Sequence, residues 1–169
     1  MNESAQPANT HRIQHDEAPG QHPQTQLVLG HDRHPHSAVA LAVAAELAGR
    51  LRAQLHVVHG IDLSDYPIDP DAADWEQQAR RTLDEQHQQV AAALAGCDTG
   101  WSYHAWRGDP VKLLTTVADE TDALMIIVGT RGEGAGAVID RIFERSVSHG
   151  LIARQRRPVL VVPHHDEAR

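Results

Sequence analysis

The sequence predicts an α/β protein in which a parallel β-sheet is covered by helices on both faces. Short apolar runs alternate along the chain with segments of helical periodicity, a pattern typical of parallel strands joined by crossover helices. Residues 123–128 are apolar throughout, as expected for a strand that is buried on both faces. Four glycines follow that run within eight residues, and a helical segment comes after them. A chain of 169 residues is long enough for one such domain with a sizeable core.

The first half of the domain supplies two strands and two helices. The apolar run at residues 27–29 predicts the first strand, and Ser37 is expected to cap the helix that follows it. Residues 55–59 predict the second strand, which leads into a loop rich in Pro and Asp at residues 62–71. Apolar residues at helical spacing then predict a long amphipathic helix over residues 72–95.

The second half supplies three strands and two helices. Residues 101–106 alternate between apolar and polar side chains, which predicts a third strand at the edge of the sheet. Asp109 and Pro110 provide an N-cap and a first helical residue for a helix over residues 111–121. The remaining predicted elements are the central strand at 123–128, a helix at about 137–153 and a last strand at 158–162. Strand and helix therefore alternate four times before a fifth strand closes the domain.

The two ends of the chain are predicted to lie outside this domain. Residues 1–24 hold few large aliphatic side chains among many Gln, His, Pro and acidic residues, too few to offset the entropy of ordering. We therefore expect a flexible N-terminal tail at 1–24, a folded domain at 25–163 and a short C-terminal tail at 164–169.

Charge and residue usage argue against several classes of function. The net charge of −8 is unlike that of a general nucleic-acid-binding protein, which needs a basic face. Lys112 is the only lysine, so the chain lacks the Gly-Lys-Ser/Thr ending of a Walker phosphate loop. The lone Cys97 rules out a disulfide framework and suits a reducing cytoplasm. Because no run approaches the ~18 apolar residues of a membrane helix, we expect a cytoplasmic protein with no membrane partner.

The glycine-rich segment at residues 129–136 is a candidate anion site. In a βαβ unit, the loop after the first strand lies at the carboxyl edge of the sheet, where ligands can bind. Glycine permits close approach of the backbone, and N–H groups at the start of the next helix point toward a bound anion. The same segment is also compatible with a flexible connection, so both interpretations stay open.

Five parts of the chain, taken in order, resemble the universal stress protein family. They are residues 27–32, 54–59, 108–110 and 123–132, and the pair 146–149 with 158–162. The resemblance implies a five-stranded parallel sheet with the strand order 3-2-1-4-5. It also implies homodimers that pair their last strands, here Val159–Val162, and in many members a bound adenine nucleotide such as ATP. In that order the sheet reverses between strands 1 and 4, so a crevice is expected between the loops that follow them.

The resemblance also implies roles for individual residues. Asp32 matches the acidic residue that contacts adenosine, and Gly60 matches a position that lines the adenine pocket. Gly129 and Gly132 match the first half of the family's phosphate motif, Gly-x2-Gly-x9-Gly-Ser/Thr. The complete set of predicted nucleotide-site residues is Asp32, Gly60, Val128, Gly129, Gly132, Arg145, Ser146 and Val147.

Departures from the phosphate motif affect this predicted site. Arg145 stands where the motif has a glycine before Ser146, and twelve residues separate it from Gly132 where the motif has nine. Losing one backbone donor to a phosphate would cost about 1–3 kcal/mol, whereas the guanidinium of Arg145 could itself pair with a phosphate. His34 is a smaller departure, because ATP-binding members often carry a small hydroxyl residue there.

Metal binding and catalysis have weaker support in the sequence. His31, His34 and His36 lie close to Asp32 but show no ligand set with supporting partners, so we expect no specific metal. The Gly-x-Ser-x-Gly motif is absent and no general acid–base pair can be identified, so we expect no robust turnover. Three hypotheses remain: a homodimeric nucleotide-binding sensor or regulator, a protein of the same fold that acts only through protein contacts, and a weak ATP hydrolase.

Overall fold

The described part of the chain contains five strands and four helices. The computed structural model describes residues 25–32, 34–61, 75–97, 100–130 and 147–163. The strands are β1 (Thr25–His31), β2 (Ala53–Ile61), β3 (Trp101–Arg107), β4 (Met125–Gly129) and β5 (Val159–Val162). The helices are α1 (Pro35–Leu51), α2 (Trp75–Leu94), α3 (Pro110–Glu120) and α4 (Val147–Arg154). The predicted tails at 1–24 and 164–169, the predicted loop at 62–71 and the first half of the predicted fourth helix lie outside the described residues.

All five strands belong to one parallel sheet with the order β3-β2-β1-β4-β5. This confirms the predicted α/β class and strand order. Since β2 and β4 flank β1 on opposite sides, the chain winds outward from the centre of the sheet in two directions. The point where the direction changes lies between β1 and β4, and ligands of open α/β sheets bind at such switch points.

Helices cover both faces of the sheet, so the domain is a three-layer sandwich. Side chains alternate between the two faces along each strand. On one face Leu27 and Leu29 belong to a core with residues of α1 and α2, and on the other Val28 and Ile126 belong to a core with residues of α3 and α4. The central strands are thus buried on both sides, as their uninterrupted apolar runs predict.

The start of α1 differs from the prediction that Ser37 caps it. The helix begins at Pro35, and His34 occupies the N-cap without a side-chain hydrogen bond to the helix. Proline suits the first helical position because its φ is already fixed near the helical value and it has no N–H that needs a partner. Ser37 therefore lies inside the first turn, where its hydroxyl bonds to Asp32 instead.

Alanines form the buried stripe of α1. Ala40, Ala44 and Ala48 recur every four residues and are fully buried against the sheet. Small side chains along this stripe let the helix lie close to the strands, and close packing resists displacement. The first turn of α1 is consequently held firmly beside the carboxyl end of β1.

Strand β3 lies at the edge of the sheet, as predicted, but two of its polar residues are buried. Ser102 and His104 are 0% and 1% exposed. The Ser102 Oγ lies 2.7 Å from His56 Nδ1 and 2.8 Å from His104 Nε2. The other ring nitrogen of His56 lies 2.8 Å from Gln26 Oε1. We call these four residues of β1, β2 and β3 the imidazole cluster.

Helix α3 begins as predicted. Asp109 is its N-cap and accepts a hydrogen bond from the Val111 N–H at 2.9 Å, and Pro110 follows as the first helical residue. The cap satisfies one of the backbone donors that every helix leaves open at its start. This arrangement fixes the N-terminus of α3 at the carboxyl edge of the sheet.

The turn from α3 into β4 is held by a residue distant in sequence. Asp122 adopts a left-handed backbone with a φ of 49° at this turn. Arg157, just before β5, donates from Nε to the Ala123 carbonyl at 2.8 Å and pairs through its terminal nitrogens with Asp119 and Asp122. Arg157 therefore ties the entry of β4 to the entry of β5.

Helices α3 and α4 meet at Gly150. A Cβ added there would lie 2.7 Å from Val111 Cγ2, a distance that forces one of the two groups to move. Replacing glycine with alanine gains about 1 kcal/mol of helix propensity, but overpacking costs about 1–3 kcal/mol, and a β-branched side chain cannot easily rotate away. We expect Gly150→Ala to lower the free energy of unfolding by about 1 kcal/mol in the otherwise unchanged chain.

The matched control is Gly150→Ala in a Val111→Ala background. The clashing methyl is then absent, so the same substitution is expected to raise the free energy of unfolding. Urea unfolding of the four proteins measures both effects in one double-mutant cycle. A destabilisation of the same size in both backgrounds would contradict the contact between the helices.

Candidate functional site

The carboxyl edge of the sheet opens between β1 and β4. β1 pairs with β2 along its full length, and β4 pairs with β5 up to its last residue. The ladder between β1 and β4 ends at Leu29 and Ile127, two residues before either strand ends. The two central strands thus stop exchanging hydrogen bonds where their outer neighbours still do. This gap in pairing lies at the switch point, where topology predicts a crevice.

The floor of the crevice is closely packed. A Cβ added at Gly30 would lie 3.2 Å from both Leu114 Cδ1 and Val128 Cγ1. Glycine at this position therefore lets α3 and β4 approach the backbone of β1 closely. Val128, one of the predicted site residues, is buried and contributes to the floor through this packing.

Gly129 and Thr130 carry the chain out of β4 on one side of the crevice. Gly129 lies opposite Val162 of β5, and the Thr130 N–H donates to the Val162 carbonyl at 2.9 Å. Pairing with β5 thus continues to Thr130, the last described residue on this side of the crevice.

Asp32 follows β1 on the other side of the crevice. Its Oδ1 accepts hydrogen bonds from the Ser37 hydroxyl at 2.6 Å and from the His34 N–H at 2.9 Å. Its own N–H donates to Ser37 Oγ at 3.0 Å. The half-buried carboxylate is therefore held against the first turn of α1. A fixed acceptor at the mouth of the crevice is suited to binding hydroxyl or amino groups of a ligand.

Gly60 lies near the carboxyl end of β2, at the same edge of the sheet. A Cβ added there would lie 3.3 Å from Pro110 Cγ, so the absence of a side chain leaves room for the first residue of α3. In the described part of the chain, Gly60 thus has a packing role against α3. A role for Gly60 in lining an adenine pocket stays a prediction.

The phosphate half of the predicted site falls mostly outside the described residues. Gly132, Arg145 and Ser146 all lie in the segment at 131–146 that is not described. Val147 opens α4, is half-buried and packs against the core on the α3 face of the sheet. The roles of these residues toward a phosphate therefore stay predictions.

The sequence pattern predicts the wrong role for Ser37. A hydroxyl residue before a helical pattern is typical of an N-cap, and this led to the prediction of Ser37 as a cap. Pro35 was the signal that points elsewhere, because proline at the first helical position places Ser37 third in the helix. A hydroxyl inside the first turn is then available to the residue that ends the preceding strand.

Metal-binding clusters and membrane-spanning helices are both absent from the described residues. Among them, no group of three or more His, Cys, Asp or Glu side chains is arranged to hold a metal ion. No helix in that part of the chain combines the length and apolar character needed to cross a membrane.

The geometry defines a class of protein, an α/β domain whose five-stranded parallel sheet opens at its switch point. A sequence model of the universal stress protein family matches residues 25–163. The chain therefore belongs to the universal stress protein family. A search of the curated proteins found no match.

Solved structures of universal stress proteins share this fold. A universal stress protein in complex with cAMP is 24% identical, covering 82% of this chain and 96% of its own, with a TM-score of 0.58. The universal stress protein from Archaeoglobus fulgidus in complex with dAMP is 19% identical, covering 83% and 99%, with a TM-score of 0.60. A family member from Burkholderia pseudomallei is 24% identical, covering 86% and 100%, with a TM-score of 0.54. At these identities the likeness shows a common architecture.

Proposed function

We propose that this chain binds an adenine nucleotide, of the class of ATP, AMP and cAMP, in the crevice between β1 and β4. The observation that carries the proposal is the early end of the β1–β4 ladder with Asp32 fixed beside it. Strand ends that separate at a switch point leave a hollow, and backbone amides of the following loop suit an anionic group. Two structural neighbours in complex with cAMP and dAMP support this ligand class.

The proposed site has an adenosine side and a phosphate side. Asp32 and Gly60 belong to the adenosine side, at the ends of β1 and β2, and Val128 and Gly129 form the floor between the two sides. The residues proposed to meet the phosphates are Gly132, Arg145, Ser146 and Val147.

We further propose a homodimeric sensor or regulator of the stress response that acts in the cytoplasm without robust turnover. Within the described sheet, β5 pairs only with β4, and its residues Val159, Leu160 and Val161 are half-buried. An apolar strand at a sheet edge favours pairing with a symmetry mate. Sedimentation equilibrium that gives the monomer mass at micromolar concentration would overturn the dimer.

Asp32→Ala is expected to weaken nucleotide binding at least tenfold. A hydrogen bond to a charged group contributes about 1.5–3 kcal/mol, and 1.4 kcal/mol corresponds to a factor of ten in affinity. Isothermal titration with ATP, AMP and cAMP measures the effect, and circular dichroism checks that the variant stays folded. The matched control is Asp84→Ala, which removes an exposed carboxylate from α2 and is expected to leave the affinity unchanged.

Two outcomes of this titration would contradict the proposal. If the wild-type chain releases no heat with any of the three nucleotides up to millimolar concentration, it does not bind an adenine nucleotide. If it binds but Asp32→Ala has the same affinity, Asp32 does not contact the ligand and the site lies elsewhere.

A protein of the same fold that acts only through protein contacts is the second candidate. Arg145 in place of the motif's glycine, with the longer segment before it, favours this alternative. In that case the nucleotide titration is silent although the domain is folded. Weak ATP hydrolysis would instead require steady ADP release that Asp32→Ala abolishes.

A further inference from the structure

Ser37 connects the first turn of α1 to the end of β1. It is the third helical residue, is 3% exposed, and its N–H donates to the His34 carbonyl at 2.9 Å. Its backbone is thus fixed within the helix, and its hydroxyl is enclosed by protein. The position of this hydroxyl follows the position of α1 on the sheet.

The Ser37 hydroxyl contacts Asp32 at two points. Its oxygen accepts from the Asp32 N–H at 3.0 Å, and its proton is donated to Asp32 Oδ1 at 2.6 Å. These two bonds close a small ring that includes the Asp32 Cα–Cβ and Cβ–Cγ bonds, so they restrict both side-chain torsions. The His34 N–H donates to the same carboxylate oxygen and adds a third restraint. The carboxylate is therefore held in one orientation.

The anchor for this arrangement is the packing of α1. Ala40 and Ala44, one and two turns beyond Ser37, are fully buried against the sheet. Because close-packed groups resist displacement, the hydroxyl cannot follow a carboxylate that turns away. Packing of the helix is thereby transmitted to the orientation of a single side chain at the crevice.

We propose that Ser37 is a positioning residue that holds the Asp32 carboxylate ready for the nucleoside of the bound nucleotide, an inference that rests on the proposed function. A side chain that is already oriented loses little freedom when the ligand binds, and this saving strengthens binding. Since Asp32 belongs to the adenosine side of the proposed site, Ser37 affects ligands with and without additional phosphates equally.

The test is isothermal titration of ATP and AMP into Ser37→Ala and Ser37→Thr. Ser37→Ala is expected to lose about tenfold in affinity for both ligands, equivalent to about 1.4 kcal/mol. Ser37→Thr keeps a hydroxyl and is expected to recover most of this loss. In an Asp32→Ala background, Ser37→Ala is expected to cause no further loss, because its effect passes through the carboxylate. An equal loss in that background would overturn the proposal and indicate a general defect of α1.

A measurement without ligand separates this inference from the proposed function. NMR three-bond couplings of Asp32 are expected to show one χ1 rotamer in the wild-type chain and in Ser37→Thr, and averaged rotamers in Ser37→Ala. One retained rotamer in Ser37→Ala would overturn the positioning role whether or not nucleotide binds. If the wild-type chain binds no nucleotide but the couplings behave as expected, the proposed function fails while the restraint on Asp32 stands.

Discussion

Arg157→Ala is expected to lower the free energy of unfolding by about 2–3 kcal/mol. The main loss is the hydrogen bond from Nε to the Ala123 carbonyl, since Ala123 is 4% exposed and a buried carbonyl without a donor costs about 1–3 kcal/mol. The pair with Asp119 adds a fraction of a kcal/mol, because that carboxylate is 62% exposed and screened by water. The pair with the fully exposed Asp122 adds little.

The matched control for this prediction is the neighbouring arginine. Arg156 is exposed, so Arg156→Ala removes the same charge with an expected change within ±0.5 kcal/mol. Arg157→Lys keeps the charge but lacks the planar fork, so it is expected to recover only part of the loss. Urea unfolding at neutral pH ranks the variants. Equal stability of Arg156→Ala and Arg157→Ala would show that Arg157 does not hold the turn into β4.

The fold could be predicted from the sequence because its strands are buried on both faces. Uninterrupted apolar runs such as residues 123–128 need covering layers, and alternation with helical segments supplies them. The ends of the strands were predicted less well. The first strand was predicted at residues 27–29 but extends over Thr25–His31, because its ladder with β2 continues past the apolar core. Strand ends that are held by backbone pairing alone cannot be recognised from the periodicity of the side chains.

For two predicted site residues, the position on the sheet follows directly from the order of elements, while their role toward a nucleotide stays a prediction. Asp32 follows β1 and Gly129 is the last residue of β4, so topology places them at the same edge. The role of Ser37 was not predicted, because a helix cap and a hydrogen-bond partner for Asp32 both require a short hydroxyl side chain. Only the position of the helix start distinguishes them, and helix ends are the least predictable feature of a sequence.

The imidazole cluster could not be predicted, because its members come together only in the folded sheet. His56 lies 46 residues from Ser102 and 48 from His104 along the chain. A polar side chain that alternates with apolar ones on an edge strand is typical of a solvent face. In this sheet Ser102 and His104 are buried instead, and Ser102 contacts both His104 on its own strand and His56 on the neighbouring strand.

The donor and the acceptor of each hydrogen bond in the imidazole cluster follow from the chemistry of Gln26. Gln26 Oε1 can only accept, so His56 Nε2 donates to it and, with one proton on each ring, His56 Nδ1 accepts. The Ser102 hydroxyl must then donate to His56 Nδ1 and accept from His104 Nε2. Ser102 is thus the link between two imidazoles that lie 3.3 Å apart at these nitrogens. Long-range ¹H–¹⁵N spectra are expected to show the proton of His56 on Nε2.

Replacing Ser102 with a residue that lacks the hydroxyl is expected to lower the free energy of unfolding by a large amount. Ser102→Thr adds one methyl group at this fully buried position, and Ser102→Val adds the same methyl group and replaces the hydroxyl with a second one. The two variants have nearly the same shape, but only Ser102→Thr keeps the hydroxyl. Without it, two buried ring nitrogens each lose a partner at about 1–3 kcal/mol, and a direct bond between the imidazoles returns about 1 kcal/mol. We therefore expect the free energy of unfolding, measured with urea, to be about 3 kcal/mol higher for Ser102→Thr than for Ser102→Val. Equal stabilities would show that the hydroxyl does not connect the two rings.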